Sequence, residues 1–159
     1  MARFIITLAL ALVPTLFFGQ SVFDKFDGQD DITSVVINKK AFEMLGEIKT
    51  DVKEKEVAKY MKMANNIDNF RLFSTSSIKK AAEMKSTFDS YRKKEGLEEL
   101  VRVNDDGKNV LIYMKSGKSS SKVKELLMFI DAGDKKGDET VLISLIGDID
   151  LASLDGLSK

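Results

Sequence analysis

The sequence predicts an α+β fold: a mostly antiparallel sheet with a C-terminal four-strand meander, packed with three main helices. Two observations support this. Short apolar runs separated by turn-like segments dominate the chain after Leu97, whereas helical periodicity is concentrated before it. Adjacent strands with short connections pair antiparallel, because parallel pairing needs a long crossover. Residues 20–159 are long enough for one domain with its own core, and we predict a single α+β domain there.

The first three elements are a strand and two helices. Residues 33–37 are short and β-branched, which predicts the first strand. Residues 39–45 predict a short helix that ends at Gly46. Residues 51–65 predict a longer helix, because their apolar side chains recur at the spacing of one helical face.

A second strand and the longest helix follow. Residues 67–74 predict a strand with Phe70 and Leu72 directed inward, and Ile67 and Phe73 are further candidates for the inward side. The longest helix is predicted to follow Ser76 or Ser77 as its N-cap and to run to about Glu95, with Ile78 and Phe88 in its buried stripe.

The C-terminal part predicts the meander. Its four apolar runs cover residues 100–103, 110–114, 126–130 and 141–146. Asn104–Gly107 is a strong hairpin signal between the first two runs. Residues 151–154 predict a last short helical segment, capped by Asp148 or Asp150.

The composition excludes several kinds of site. The chain has no cysteine and no histidine, so disulfides, thiolate zinc sites and serine–histidine catalysis are excluded. The glycine-containing turns lack the spacing of a phosphate-binding loop, and Ser144 has no nucleophile elbow around it. The sequence therefore indicates no catalytic residue, no metal ligand and no cofactor.

Residues 1–19 have the pattern of a secretory signal peptide. Arg3 precedes an apolar run, Phe4–Val13, that is too short to span a membrane, and Gly19 suits the position before a cut. We predict cleavage after Gly19, export to the periplasm or the medium, and no stable transmembrane anchor afterwards. An uncleaved N-terminal anchor is the alternative. Cleavage removes Arg3 and leaves 24 of the 25 basic residues against 25 acidic ones, which argues against nucleic acid as a partner.

Acidic residues form two groups with candidate chemistry. They are Asp24, Asp27, Asp30 and Asp31 in the segment 21–31, here called the lead-in, and Asp148, Asp150 and Asp155 near the C-terminus. Calcium binding is one interpretation of the first group, but solvation of the lead-in and capping of the last helix are simpler explanations. A carboxylate-only hydrolase is the competing enzyme class. It would need two of Asp24, Asp27, Asp148 and Asp150 about 5–10 Å apart in a cleft.

Three of the apolar runs, 110–114, 126–130 and 141–146, hardly alternate with polar residues. A sheet with one wet face alternates, so both faces of these strands need a cover. The helices divided between the two faces, or the lead-in with Phe23 and Phe26, would provide it; otherwise the second face binds another molecule. The residues of this candidate interaction surface are Ile112, Met114, Met128, Ile130, Ile143 and Leu145.

Two stretches at opposite ends of the domain carry a family resemblance. The first comprises Phe23–Phe26 and Asp30–Val35 and leads into Lys39–Phe42, and the second is Val141–Leu151. With the long helix and four strands between them, the chain resembles the family called domain of unknown function 4252. The resemblance implies a small exported protein, mostly of Bacteroidetes, and no catalytic residue. Many members look like lipoproteins, and this chain departs from them because it lacks the acceptor cysteine.

Taken together, these features predict an exported, non-catalytic binding or interaction protein of the cell envelope. Its expected partner is an envelope protein, a peptide, a lipid or a second copy of the chain, and not nucleic acid. The alternatives are the carboxylate-only hydrolase and a structural accessory of an envelope complex.

Overall fold

A computed structural model of the chain describes residues 21–47, 64–132 and 137–152. The elements, in chain order, are a short 3-10 helix (Asp24–Phe26), β1 (Thr33–Asn38), α1 (Lys39–Glu47), β2 (Ile67–Thr75), α2 (Ile78–Lys94), β3 (Glu98–Asp105), β4 (Lys108–Ser116), β5 (Lys122–Asp131) and β6 (Thr140–Asp150). The strands form one six-stranded sheet in the order β1-β2-β6-β5-β4-β3, with every neighbouring pair antiparallel. The last four strands therefore form a meander.

The expectation of three main helices is wrong for the part of the chain that the structure describes. That part contains two α-helices, α1 and α2, so the protein is α+β with a larger share of strand than of helix. Residues 51–63 of the helix predicted over 51–65 lie outside the described residues. The predicted signal peptide and residues 153–154 of the last predicted helix lie outside them as well.

Local side-chain chemistry explains where both helices begin. The side chain of Asn38 accepts a hydrogen bond from the Ala41 N–H (3.1 Å), and that of Ser77 accepts one from the Lys80 N–H (3.4 Å). Each bond satisfies a backbone donor that the first helical turn leaves without a partner. Neither helix is long and apolar enough to cross a membrane.

The predicted hairpin after β3 is confirmed. Asp106 and Gly107 have φ values of 45° and 82°, so both loop residues are in the left-handed region. This is the pattern of a two-residue turn whose twist matches that of the flanking strands, and glycine adopts it without strain.

Strand β6 is longer than the sequence predicts, and this corrects the capping role given to Asp148. The alternative, in which Asp150 caps the segment that begins at residue 151, is confirmed, because residues 151–152 form a 3-10 turn and the Asp150 side chain binds a backbone N–H of that turn. Both residues belong to β6, which continues through Gly147 instead of ending before it. A Cβ atom on Gly147 would lie 2.9 Å from the Cα atom of Ile67, so glycine permits the close pairing with β2. Asp148 binds the side chain of Lys122 (2.9 Å), and Asp150 accepts the Ala152 N–H (3.1 Å).

The main core lies on one face of the sheet, here called the first face. Sheet side chains of this face, including Phe73, Leu127 and Leu142, pack with Met84 and Phe88 of α2. Of the four inward candidates of β2, Phe73 is thus confirmed, whereas Phe70 and Leu72 are half-buried on the opposite face. Ile78 was expected in the buried stripe but is 65% exposed, because it is the first residue of α2 and precedes the stripe that begins at Met84.

The lead-in also packs on the first face. Phe23 and Phe26 are fully buried in the core cluster, where their rings contact Tyr91 of α2 and Phe73 of β2 at centroid distances of 4.9 and 5.8 Å. The alternative in which the lead-in covers the second face is therefore wrong. The reason is that α2 and the lead-in share one aromatic cluster.

Candidate functional site

The second face of the sheet carries the six residues predicted as an interaction surface. Strand register places paired residues on the same side of an antiparallel sheet, and it aligns Ile112 with Met128 and Met128 with Ile143. The neighbouring rows contain Met114 with Leu126 and Leu145, and Val110 with Ile130 and Val141. All nine side chains are half-buried, and none belongs to the core cluster.

One apolar row crosses the whole second face. From one edge of the sheet to the other it consists of Val35, Leu72, Ile143, Met128, Ile112 and Val101. Val35 is 42% exposed and Val101 is 39% exposed, so the row is open to solvent at both ends. The row has no polar member in any of the six strands, which is unusual for a sheet face in contact with water.

The described helices leave much of this face without a packed partner. The main contacts of α1 are with β1 and β2, at one side of the sheet, and those of α2 run from the first face to β2, β5 and β6. Among residues 21–47, 64–132 and 137–152, no helix therefore has its main contacts with the second-face side of β4, β5 and β6. These three strands carry all six of the predicted surface residues.

A polar cleft of about 900 Å³ lies on the first face, between α2 and the start of β2. Acidic, basic and hydroxyl side chains line it together, among them Lys25, Asp68, Arg71, Tyr91, Lys94 and Glu95. Its two acidic groups are both paired with lysines, Asp68 with Lys39 (3.0 Å) and Glu95 with Lys115 (3.1 Å).

The four carboxylates proposed for a hydrolase have separate structural partners. Asp24 binds Arg71, Asp27 accepts a hydrogen bond from the Ser34 hydroxyl (2.5 Å), and Asp148 and Asp150 bind at the end of β6 as described above. None of the four lines the polar cleft. The structure therefore gives no cleft in which two of them face a common substrate in the described residues.

A buried polar cluster beside the cleft was not found from the sequence. Arg71 is 6% exposed, and its Nε donates to Oδ1 of Asp24 at 2.5 Å. Glu125 is 5% exposed, and its Oε2 accepts the Tyr91 hydroxyl at 3.0 Å. The sequence signals of this cluster were the charged residues themselves, Arg71 in β2 and Glu125 just ahead of the apolar run 126–130. A charged residue in a strand is normally expected to face solvent, so neither was predicted to be buried.

Burial controls the protonation of this cluster. Removal from water raises the pKa of Glu125 above its ordinary value of 4.5, and the Tyr91 hydrogen bond and nearby cations oppose that rise. Burial, together with the negative charge of Glu125, also raises the pKa of Tyr91. Among the described residues, Oε1 of Glu125 has no hydrogen-bond partner, which is consistent with a carboxyl group that favours its neutral form.

The sequence profile of one family, described as domain of unknown function 4252, matches residues 26–157. The chain belongs to this family. A search among curated proteins and a search among solved structures each returned no match. The matched residues begin in the lead-in and continue past the end of β6. In this member of the domain of unknown function 4252 family, they therefore include all six strands of the sheet.

In this family member, Glu125→Gln is expected to change how stability depends on pH. A carboxyl group whose pKa is raised by folding stabilises the native state fully below its unfolded pKa, and that stabilisation is lost as pH rises through the folded pKa. The glutamine side chain does not titrate. The unfolding free energy of Glu125→Gln relative to the unmodified protein should therefore increase as the pH rises from 4.5 through the raised pKa that Glu125 has in the folded protein.

Urea denaturation at several pH values measures this difference. Glu98→Gln removes an exposed carboxyl group of β3 and is the matched control for the change in charge. If both variants follow the same pH profile, Glu125 is not the group that titrates with folding.

Proposed function

We propose that this member of the family is an exported, non-catalytic interaction protein of the cell envelope, and that the second face of its sheet is the contact surface. The observation that carries the proposal is the apolar row that runs through all six strands and is open at both ends. Its partner is a protein, a peptide or a lipid of the envelope, or another copy of the chain.

The energetic argument rests on the cost of leaving such a face in water. Covering about 400 Å² of apolar surface is worth about 10 kcal/mol at about 25 cal/mol per Å², as an upper figure. Contiguous exposed apolar patches on soluble monomers rarely exceed a few hundred Å² and mark interaction sites when they do. The cost of an exposed apolar face is not offset by covalent cross-links, because the chain has no disulfide that could stabilise a weaker core.

The geometry of the lead-in supports the proposed processing. Phe23 is fully buried, and Ser21 already takes part in the fold through its backbone N–H, which donates to Asp24 (2.9 Å). Ser21 lies two residues after Gly19 in the sequence. A signal peptidase cut after Gly19 would leave the lead-in and its anchors to the core intact.

Two measurements test the proposal in cells that express the full chain. Fractionation followed by mass spectrometry of the N-terminus should recover a polypeptide that begins at Gln20, outside the cytoplasm. A photo-crosslinking amino acid at position 101, on the second face, should form adducts with an envelope component. The same amino acid at position 78, on α2, is the control, since Ile78 is more exposed (65%) than Val101 (39%) but lies away from the second face.

The proposal fails on either of two results. Recovery of the unprocessed chain from the cytosol would remove the envelope as its location. Equal labelling at positions 78 and 101 would show that the second face has no privileged role in contact with other molecules.

A further inference from the structure

We infer that the polar cleft on the first face is a binding site for a small carboxylic acid that also carries hydroxyl groups, a ligand of the sugar-acid class. The cleft lies on the opposite side of the sheet from the proposed contact surface, so this inference does not depend on the proposed function. Three features support it: a buried guanidinium at the floor of the cleft, polar atoms without partners around it, and the charge that the ion pairs of the cleft leave over.

The guanidinium group of Arg71 has donors to spare. Arg71 is 6% exposed and lines the cleft, so the small part of it that is not buried faces the cleft. Asp24 accepts from Nε at 2.5 Å and from Nη2 at 3.5 Å, and Nη1 has no partner in the described residues. A buried guanidinium needs acceptors for its remaining N–H groups, and the two oxygens of a carboxylate match its planar fork.

Polar atoms without partners concentrate at the same place. Among the described residues, three buried side-chain atoms have no hydrogen-bond partner: Oδ1 of Asn69, Oε1 of Glu125 and Oγ of Ser144. Strand register pairs Ser144 with Arg71 and places Asn69 and Glu125 in the adjacent row, all on the first face. Asn69 itself lines the cleft. Buried polar atoms in native proteins nearly always have a partner, so this concentration indicates that a polar molecule completes the site.

The ion pairs of the cleft leave room for one negative charge. Lys25 pairs with Glu83 at 3.7 Å, and the two acidic groups of the cleft are paired with lysines as described above. Lys94 lines the cleft without a salt-bridge partner in the part of the chain that the structure describes. Glu125, which binds Tyr91 at the cleft wall, favours its neutral form because burial raises its pKa. A single carboxylate balances the charge of Lys94, whereas a phosphate group carries about two negative charges and exceeds it.

The helix wall of the cleft offers hydroxyl groups to the rest of the ligand. Ser86 and Ser90 lie one turn apart on α2, and both are exposed and line the cleft. A serine hydroxyl both donates and accepts hydrogen bonds, as each hydroxyl group of a sugar ring does. Tyr91 and Ile146 add apolar surface. The volume of about 900 Å³ lies within the range of about 300–1,000 Å³ that is typical of small-molecule sites.

NMR titration of the exported, nitrogen-15-labelled protein tests the class of the ligand. Glucuronate and galacturonate carry a carboxylate and hydroxyl groups, glucose carries the hydroxyl groups alone, and acetate carries the carboxylate alone. At least one of the two sugar acids should bind with a dissociation constant of about 1 mM or below, at least about tenfold more tightly than glucose, acetate or inorganic phosphate. The amide signals that shift should be those of the cleft, including Asn69 and Arg71.

Adjacent lysines of α2 provide a matched pair of variants. Lys93 and Lys94 are both exposed in the last turn of α2, but of the two it is Lys94 that lines the cleft. Lys94→Gln should raise the dissociation constant of the sugar acid about threefold, as expected for an exposed charge, and Lys93→Gln should leave it unchanged. Arg71→Lys keeps a positive charge opposite Asp24 but loses the planar fork, and it should raise the dissociation constant at least about tenfold. The unfolding midpoint verifies the fold of each variant, and the lysine pair decides the test if Arg71→Lys does not fold.

Four results would overturn the inference. Absence of shifts with both sugar acids at about 10 mM would mean that water alone completes the cleft. Acetate that binds as tightly as the sugar acids would remove the role of the hydroxyl groups, and phosphate that binds more tightly would remove the single carboxylate. Equal effects of Lys93→Gln and Lys94→Gln would place the ligand elsewhere. The crosslinks at position 101 report on the second face alone, so each proposal can fail without the other.

Discussion

Replacing Phe88 with alanine is expected to lower the free energy of unfolding by about 3–5 kcal/mol, one of the two largest effects that we predict for a single substitution. Phe88 is fully buried in α2, and its ring lies 5.0 Å from that of Phe129 and 5.7 Å from that of Tyr113, measured between centroids. Truncation removes the transfer energy of the ring and leaves a cavity between α2 and the sheet. Since small domains are stable by only about 5–15 kcal/mol, the loss is a large share of the total.

Urea denaturation of the exported protein measures this change. Ile78→Ala, on the same helix, is the matched control and should cost less than about 1 kcal/mol, because the side chain is 65% exposed. If the two variants lose the same amount of stability, α2 does not pack on the first face through Phe88. The comparison therefore tests the helix placement as well as the size of the effect.

Replacing Asp24 with alanine is expected to cost about 3 kcal/mol, because it leaves the buried guanidinium of Arg71 without its carboxylate. The Arg71 side chain is 7% exposed and that of Asp24 is 31% exposed. Partial access of water to Asp24 places the expected cost at the lower end of the range for breaking a buried pair. The same substitution also removes the acceptor of the Ser21 N–H, so the lead-in is released at its N-terminal end.

A double-mutant cycle separates the ion pair from these local effects. Arg71→Met combined with Asp24→Ala removes both charges and should recover most of the stability that Asp24→Ala loses, since apolar replacement of a buried pair is often close to neutral. Additive losses in the double variant would contradict the assignment of Arg71 and Asp24 as one coupled pair. The unfolding free energies of the two single variants and the double variant suffice for the test.

Local patterns in the sequence located most elements of the described part correctly. The β-branched run of β1, the capping residue Ser77 and the Asp106–Gly107 turn act over a few residues, so their effects can be inferred without knowledge of the rest of the fold. The length of β6 was missed for a non-local reason. A glycine after an apolar run, such as Gly147, suggests that the strand ends there. In the fold, the absence of a side chain on Gly147 allows the backbone of Ile67 to approach closely, and the strand continues.

The candidate surface was only partly predictable. The absence of alternation in three strands indicated that two faces need a cover, and it identified Ile112, Met128 and Ile143 as surface residues. It did not indicate that Val35 and Val101 continue the same row to both edges of the sheet, because that follows from the pairing of six strands. The buried partners Arg71 and Glu125 were missed because their neutralising contacts come from distant parts of the chain.

The amino-acid sequence by itself determined the class of the fold, the family, the strands of the meander, and the lack of thiol and imidazole chemistry. Only the tertiary structure decided which face of the sheet receives the helix and the lead-in. The physical reason is that a strand with apolar side chains on both sides needs both of its faces buried, but its sequence does not say which other element covers each face. Phe23 and Phe26 could cover either face as far as periodicity goes, and their rings joined the aromatic cluster around α2 on the first face.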